Sequence, residues 1–323
     1  KLEKNIRFVE DPEGKLSVRE ITSEAFQSKF QAIPEDVPNF GFSSSAFWLR
    51  IDIANQSETM LWVLEVSYAA LDDIQLFQKS AEGDFRPQQA GDSKPFDGRY
   101  WPHRYSNFSV EIWEGDTAPI FIRVQTDGSV KVPLSLYSER AFGSKSMDEL
   151  FNLGLYFGVI VVMIIFTAFL YIPLKDSTYL HYIGFLICFS LFMASLNGLA
   201  FQKFWPESPA LNNATLLVYL FGLSFFGAEF TRRFNECEKY LPKTNKFLMI
   251  LGFTGLLCAV LQFAMPYQIM AKLGALLVVI FCATVITTGI MAMKAGYRPA
   301  RFFFLAWVSF MGGAMIFVLA MAL

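Results

Sequence analysis

Between residues 152 and 323 six apolar blocks follow one another with only short polar breaks, and no other feature limits the fold so strongly. The first, residues 152–173 (NLGLYFGVIVVMIIFTAFLYIP), carries no charge. As a helix rising ~1.5 Å per residue it is long enough to cross the ~30 Å hydrocarbon core of a bilayer. Five more candidate spans follow at 179–201, 211–230, 247–265, 272–293 and 302–323. A soluble core rarely needs six such blocks in succession, so a polytopic helical bundle is predicted for 147–323 and a separate domain for 1–146.

Charge divides the chain at the same place. Residues 1–150 hold 16 Lys/Arg and 24 Asp/Glu, a balance of −8, whereas the remainder holds 11 and 5, a balance of +6. An acidic first half argues against nucleic acid, whose phosphates need Lys and Arg to neutralise them. All four cysteines lie beyond residue 150, so the first domain has no disulfide framework, and neither CxxC nor a Cys/His metal spacing occurs. No metal and no cofactor are expected.

Residues 1–19 are polar and charged and do not read as a leader. The loops set the orientation instead. With the first domain outside, the inner connections (174–178, 231–246 and 294–301) carry nine basic residues, and the outer ones (202–210 and 266–272) carry only Lys203 and Lys272. Nine against two satisfies the positive-inside rule. The first domain is therefore expected to be exported, with a leader cleaved.

That domain reads as all-β. Residues 46–53, 60–66, 74–78, 107–112, 120–125 and 131–137 are short runs rich in aromatic and β-branched residues, separated by turn formers at 55–57, 82–84, 114–116 and 126–129. This spacing predicts a β-sandwich or jelly roll, and the opening residues 1–30 offer one possible strand and one short helix near 23–30. Residues 147–150 read as the first turn of the first membrane helix, a stiff junction that would carry domain movement to the membrane.

No GxSxG, HExxH, P-loop or DxD motif is present, and the only histidines are His103 and His181. His181 reads as an interfacial or packed histidine. Glu229, one turn before Arg232 and Arg233, reads as a paired carboxylate at the inner boundary. Asn197 and Gln262 suit hydrogen bonds between helices or at the outer boundary, and Gly312 and Gly313 suit close helix packing. The richest soluble stretch is 95–108 (PFDGRYWPHRYSNF), where Arg99, Trp101, His103 and Arg104 stand among further aromatics. Stacking faces beside forked donors fit a sugar ring or a carboxylate ligand, with Asp72 as a further candidate. On the alternative reading these aromatics cover one end of the sandwich while the arginines pair with Asp72, Asp73 and Asp97.

Residues 196–214 (LNGLAFQKFWPESPALNNA), 230–234 (FTRRF) and 296–307 (GYRPARFFFLAW) resemble the membrane module of bacterial seven-transmembrane receptors with diverse intracellular signalling modules. Residues 40–50 (FGFSSSAFWLR), 68–77 (YAALDDIQLF), 95–108 and 121–133 (FIRVQTDGSVKVP) resemble the second type of extracellular domain in that family. The resemblance implies a jelly-roll-like periplasmic domain for carbohydrate-related ligands, seven helices in the bacterial inner membrane, and a cytoplasmic output such as a diguanylate cyclase or histidine kinase. It also implies a homodimer. Helix seven and the output are then expected beyond residue 323. The chain is thus expected to be a non-enzymatic small-molecule receptor embedded in the lipid bilayer.

Two rivals remain. A transporter or channel would show internal repeats and polar groups at mid-membrane, whereas the polar residues here cluster near block ends. A membrane-embedded enzyme would need acids, histidines or a nucleophile placed together, and the membrane half holds five acids and one histidine.

Overall fold

The computed structural model describes residues 6–33, 37–80 and 83–322, with side chains described as far as Gly313. Glu82 of the expected 82–84 turn lies outside the described residues. The chain divides into two compact units, Lys1–Asn152 with Ala194–Asn212, and Leu153–Met193 with Asn213–Leu323. The loop around residues 194–212 therefore belongs with the sheet domain.

In the first unit, β1 (Ile6–Asp11), α1 (Val18–Ile21), α2 (Glu24–Gln27), β2 (Gln31–Ala32) and β3 (Asn39–Phe42) precede β4 (Ala46–Ala54), β5 (Leu61–Val66), β6 (Asp73–Lys79) and β7 (Phe85–Ala90). Then come β8 (Ser106–Glu111), β9 (Thr117–Gln125), β10 (Ser129–Lys131) and β11 (Leu134–Ser138). A six-stranded antiparallel sheet, β2-β1-β4-β9-β6-β7, and a three-stranded one, β11-β5-β8, enclose one core, and β10 pairs with β3. Alternation along the strands decides the faces. Phe47, Leu49, Ile51 and Ile53 of β4 point into the core with Leu64, Val66, Phe108 and Val110 from the smaller sheet. Trp48, between them in sequence, points the other way and packs with Phe77, Phe121, Ile21 and Phe30 under the helical segment. The run 131–137, expected as one strand, is two. Pro133 lacks an N–H to continue the ladder, and the chain passes from β3 to β5 as its partner.

The helices are α3 (Glu139–Leu174), α4 (Ser177–Leu196), α5 (Leu199–Phe204), α6 (Pro209–Phe234), α7 (Cys237–Tyr240), α8 (Pro242–Leu261), α9 (Tyr267–Lys294) and α10 (Ala300–Ala322). Of these, α3, α4, α6, α8 and α9 are long and apolar enough to cross a membrane, and α10 is apolar over Ala300–Gly313. Helix α3 starts about two turns before the expected 147. Its polar lead-in is helical because Phe142 is fully buried against Trp101, His103 and Tyr137. The block expected at 179–201 is broken. At Gly198 the backbone turns left-handed (φ 72°), and an added Cβ there would stand 2.6 Å from the Arg104 carbonyl oxygen.

Within the second unit Glu229 pairs with Arg232 (2.7 Å) and Arg233 (3.2 Å), and Gln262 donates to the Ala214 carbonyl (3.0 Å). Close helix approach occurs at Gly184 and Gly227, where a Cβ would come within 2.4 Å of Phe226 and Phe281. At Gly312 and Gly313, where it was expected, an added Cβ meets no described atom within 4 Å.

Candidate functional site

The loop 95–105 is folded around two side chains. Arg99 is buried and donates from Nη1 to the carbonyls of His103 (2.9 Å) and Arg104 (2.7 Å), while its guanidinium lies over the Phe96 ring at 4.4 Å. Asn107, at the start of β8, accepts from the Trp101 N–H (2.6 Å) and donates to the carbonyls of Trp101 (3.0 Å) and Tyr105 (3.1 Å). The segment around α5 closes over this loop. Arg99 also faces Phe201 at 5.6 Å, the Phe96 N–H donates to the Pro206 carbonyl, and Gln202 donates to the Pro102 carbonyl. Burial pushes the Arg99 guanidinium down to about 10, opposed by the Asp92 charge, so it stays cationic at neutral pH. Burial and then the neighbouring Asp72 hold the Asp92 carboxyl well above the usual carboxylate range.

Beside the loop lies a buried ion cluster. Glu65 on β5 is fully buried, on the strand face opposite Leu64 and Val66. Lys145 Nζ donates to both of its oxygens at 2.8 and 2.7 Å and also meets Glu149 Oε1 at 2.8 Å. The other Glu149 oxygen takes Arg104 Nη2 at 3.0 Å, and Arg104 Nη1 reaches the backbone and side-chain oxygens of Asn197 (3.2 and 3.3 Å). His103 stands between the carboxylates, with Nδ1 3.6 Å from Glu65 and Nε2 3.3 Å from Glu149. Phe142, Lys145 and Glu149 follow at i, i+3 and i+7, so one face of the α3 lead-in carries all three. Two carboxylates, Glu65 and Glu149, meet two cations, Lys145 and Arg104, and such pairing is the condition under which buried ions persist.

Glu65, His103 and Glu149 offer ligand atoms within 4.8 Å of one another, a donor set suited to a divalent cation. The Lys145 ammonium already stands among those oxygens at 2.7–2.8 Å and would have to be displaced. The geometry is that of an ion-pair network, whose chemistry is the exchange of hydrogen-bond partners.

Of the residues singled out from sequence, Arg99, Trp101, His103 and Arg104 come together in one loop. Asp72 sits apart, its Oδ2 accepting from Thr126 Oγ1 (2.8 Å) and the Asp127 N–H (2.6 Å), and reaches Arg99 only through Asp92. The loop cations find their partners at Glu149, Asn197 and the loop carbonyls of His103 and Arg104 rather than at Asp73 or Asp97. Sequence reasoning missed Glu65, Lys145, Glu149 and Asp92. One signal was available, a lone charge in the otherwise apolar run LWVLEV followed much later by Lys and Glu four residues apart in a helix-competent stretch.

Residues 149–323 match the family model described as 7TM diverse intracellular signalling, and residues 3–138 match the one described as 7TMR-DISM extracellular 2. No curated protein matches the chain.

Proposed function

We propose, from the premise that this chain belongs to the 7TMR-DISM family of membrane signalling receptors with an extracellular sensor domain, that its outer domain senses a small molecule of carbohydrate-related class. Its helices then set the activity of an intracellular output module. In this reading the membrane is the bacterial inner membrane and the sensor domain is periplasmic. The observation that carries it is the Glu65–Lys145–Glu149–Arg104 network. It ties a core strand, the aromatic loop and the first turns of α3 into one set of hydrogen bonds.

A ligand shifts a receptor only through unequal affinity for two arrangements. Here Trp101, His103, Arg104 and Arg99 supply stacking faces and donors, and the same donors now hold Glu149, Asn197 and the loop carbonyls. A hydroxyl- or carboxylate-bearing ligand that takes Arg104 or His103 frees Glu149, and α3 feels the difference directly.

The test uses the full chain in lipid nanodiscs, screened with sugars and acidic metabolites by melting shift. The best binder is titrated against Trp101→Ala and Arg104→Ala. Affinity should fall by about 1–3 kcal/mol, the scale of a lost stacked aromatic or charge-assisted hydrogen bond. Binding should also change amide exchange over residues 139–150. A ligand that binds with those amides unmoved would sink the reading.

A further inference from the structure

In the helical unit two cavities lie side by side at the ends of α3, α4 and α6. One, of about 490 Å³, is walled by Phe166 and Leu170 of α3, Tyr182 of α4, and Phe230 and Phe234 of α6. The other, of about 440 Å³, is walled by charged residues of the α6–α7 segment, among them Arg232, Glu238 and Lys239. Asp176, Thr178, Arg233 and Glu236 line both, so the two form one site with an apolar lobe and a polar lobe. Because α3 leaves an extracellular domain, this end of it faces the cell interior.

The apolar lobe opens toward lipid, since Met163 and Phe166 on its wall are 40% and 60% exposed on a helix apolar enough to span a membrane. A hydrocarbon chain fits there and a soluble metabolite does not. The polar lobe carries both signs. Asp176, Glu236 and Glu238 face Arg232, Arg233 and Lys239, and Glu229 behind the arginines holds both of them. Four acids against three bases leave a slight negative excess, which repels a purely anionic headgroup and suits one with an ammonium beside its phosphate. Glu236, whose backbone is left-handed (φ 45°), lines this lobe. Such strain persists only where the surroundings hold it, and here it fixes the rim.

We infer that this two-lobed cavity binds one aminophospholipid, with an acyl chain along Phe166 and Phe230, the phosphate at Arg233 and the ammonium at Asp176 and Glu236. The bound lipid joins the inner ends of α3, α4 and α6.

The full chain, purified and stripped of lipid in detergent, is offered equal amounts of phosphatidylethanolamine and phosphatidylglycerol with identical acyl chains, and retained lipid is read by native mass spectrometry. Wild type should retain the amino lipid in preference by roughly fivefold or more. Asp176→Asn with Glu236→Gln, at two exposed positions where folding is not at stake, should bring the ratio near one, and Asp176→Lys should reverse it. Glycerophosphoethanolamine, the headgroup without chains, should not displace the lipid. Equal retention of the two lipids by wild type, an unchanged ratio in the double variant, or displacement by the soluble headgroup would each overturn the assignment.

Discussion

Removing the Lys145 ammonium is the most informative single change in the outer unit. Lys145 Nζ makes three contacts of 2.7–2.8 Å, two to Glu65 and one to Glu149. At an effective dielectric constant of about 20 each of the two charge pairs, Lys145–Glu65 and Lys145–Glu149, is worth about 6 kcal/mol gross, most of it offset by taking the ions out of water. Breaking a buried pair by deleting one member leaves the other charge uncompensated and costs ~3–5 kcal/mol. The Glu65 side chain has no exposed surface, but that of Lys145 is 23% exposed. Water can therefore reach the vacated end, which brings the expected cost of Lys145→Met to about 2–3 kcal/mol. After the change Glu65 keeps, among the described residues, the Ser67 Oγ hydrogen bond at 3.1 Å, while the nearby His103 Nδ1 (3.6 Å) accepts from the Tyr105 N–H. Local opening should then expose the α3 lead-in. Amides over 139–150 should exchange about 30- to 150-fold faster, with little change in the second unit. Glu65→Gln added to Lys145→Met should recover more than half of the loss, because the uncompensated charge is gone. An increase below about threefold, the range of an exposed surface pair, would refute the reasoning.

Three further outcomes follow from the same structure. Asp92 has a raised folded value, so the stability it contributes is fully present below the usual carboxylate range and is lost as pH rises through that raised value. Asp92→Asn should raise the melting temperature of the outer unit near about pH 8 and leave it unchanged near about pH 4, by circular dichroism at each pH. Gly198→Ala puts a Cβ 2.6 Å from the Arg104 carbonyl on a left-handed backbone, and should destabilise the outer unit by more than about 2 kcal/mol in a denaturant titration. A reporter fused after Thr244 should label as cytoplasmic and one after Pro209 as extracytoplasmic, with the opposite pattern excluding an exported sensor.

The strands that sequence revealed were those that alternate around a two-faced sheet, such as β4 and β9. Those it did not reveal were β2, only two residues long, and β3 and β7, where glycine, charged or proline residues dilute the pattern, as in FRPQQA of β7; β1 falls in the opening segment where one possible strand was expected. Apolar length marked the regions of α3, α4, α6, α8 and α9, because a bilayer demands it of each span separately, whereas the sixth expected block, 302–323, falls in α10, whose described apolar stretch is only Ala300–Gly313. The lead-in of α3 and the break at Gly198 were hidden for the opposite reason. Phe142 and Arg104 decide them, and both act across long stretches of chain. The candidate site was half legible. Its aromatic and cationic loop stands out in composition, but Glu65, Lys145 and Glu149 look like ordinary surface charges until the fold gathers them 2.7–2.8 Å apart.

The central claim is that the aromatic loop passes its state to the membrane through the start of α3. Tyr100 Oη donates to Glu139 Oε1 at 2.7 Å on the exposed side of that junction, away from the buried ions. Cysteines at these two positions, Tyr100→Cys with Glu139→Cys, in a domain with no cysteine of its own, can be joined by a short thiol-cleavable bismaleimide. The measurement is the ligand-induced change in amide exchange over residues 231–241, taken in nanodiscs before cross-linking, after it, and after cleavage. The account predicts that the locked receptor binds ligand without that change and that cleavage restores it. A locked receptor that binds ligand and shows the full change would contradict it.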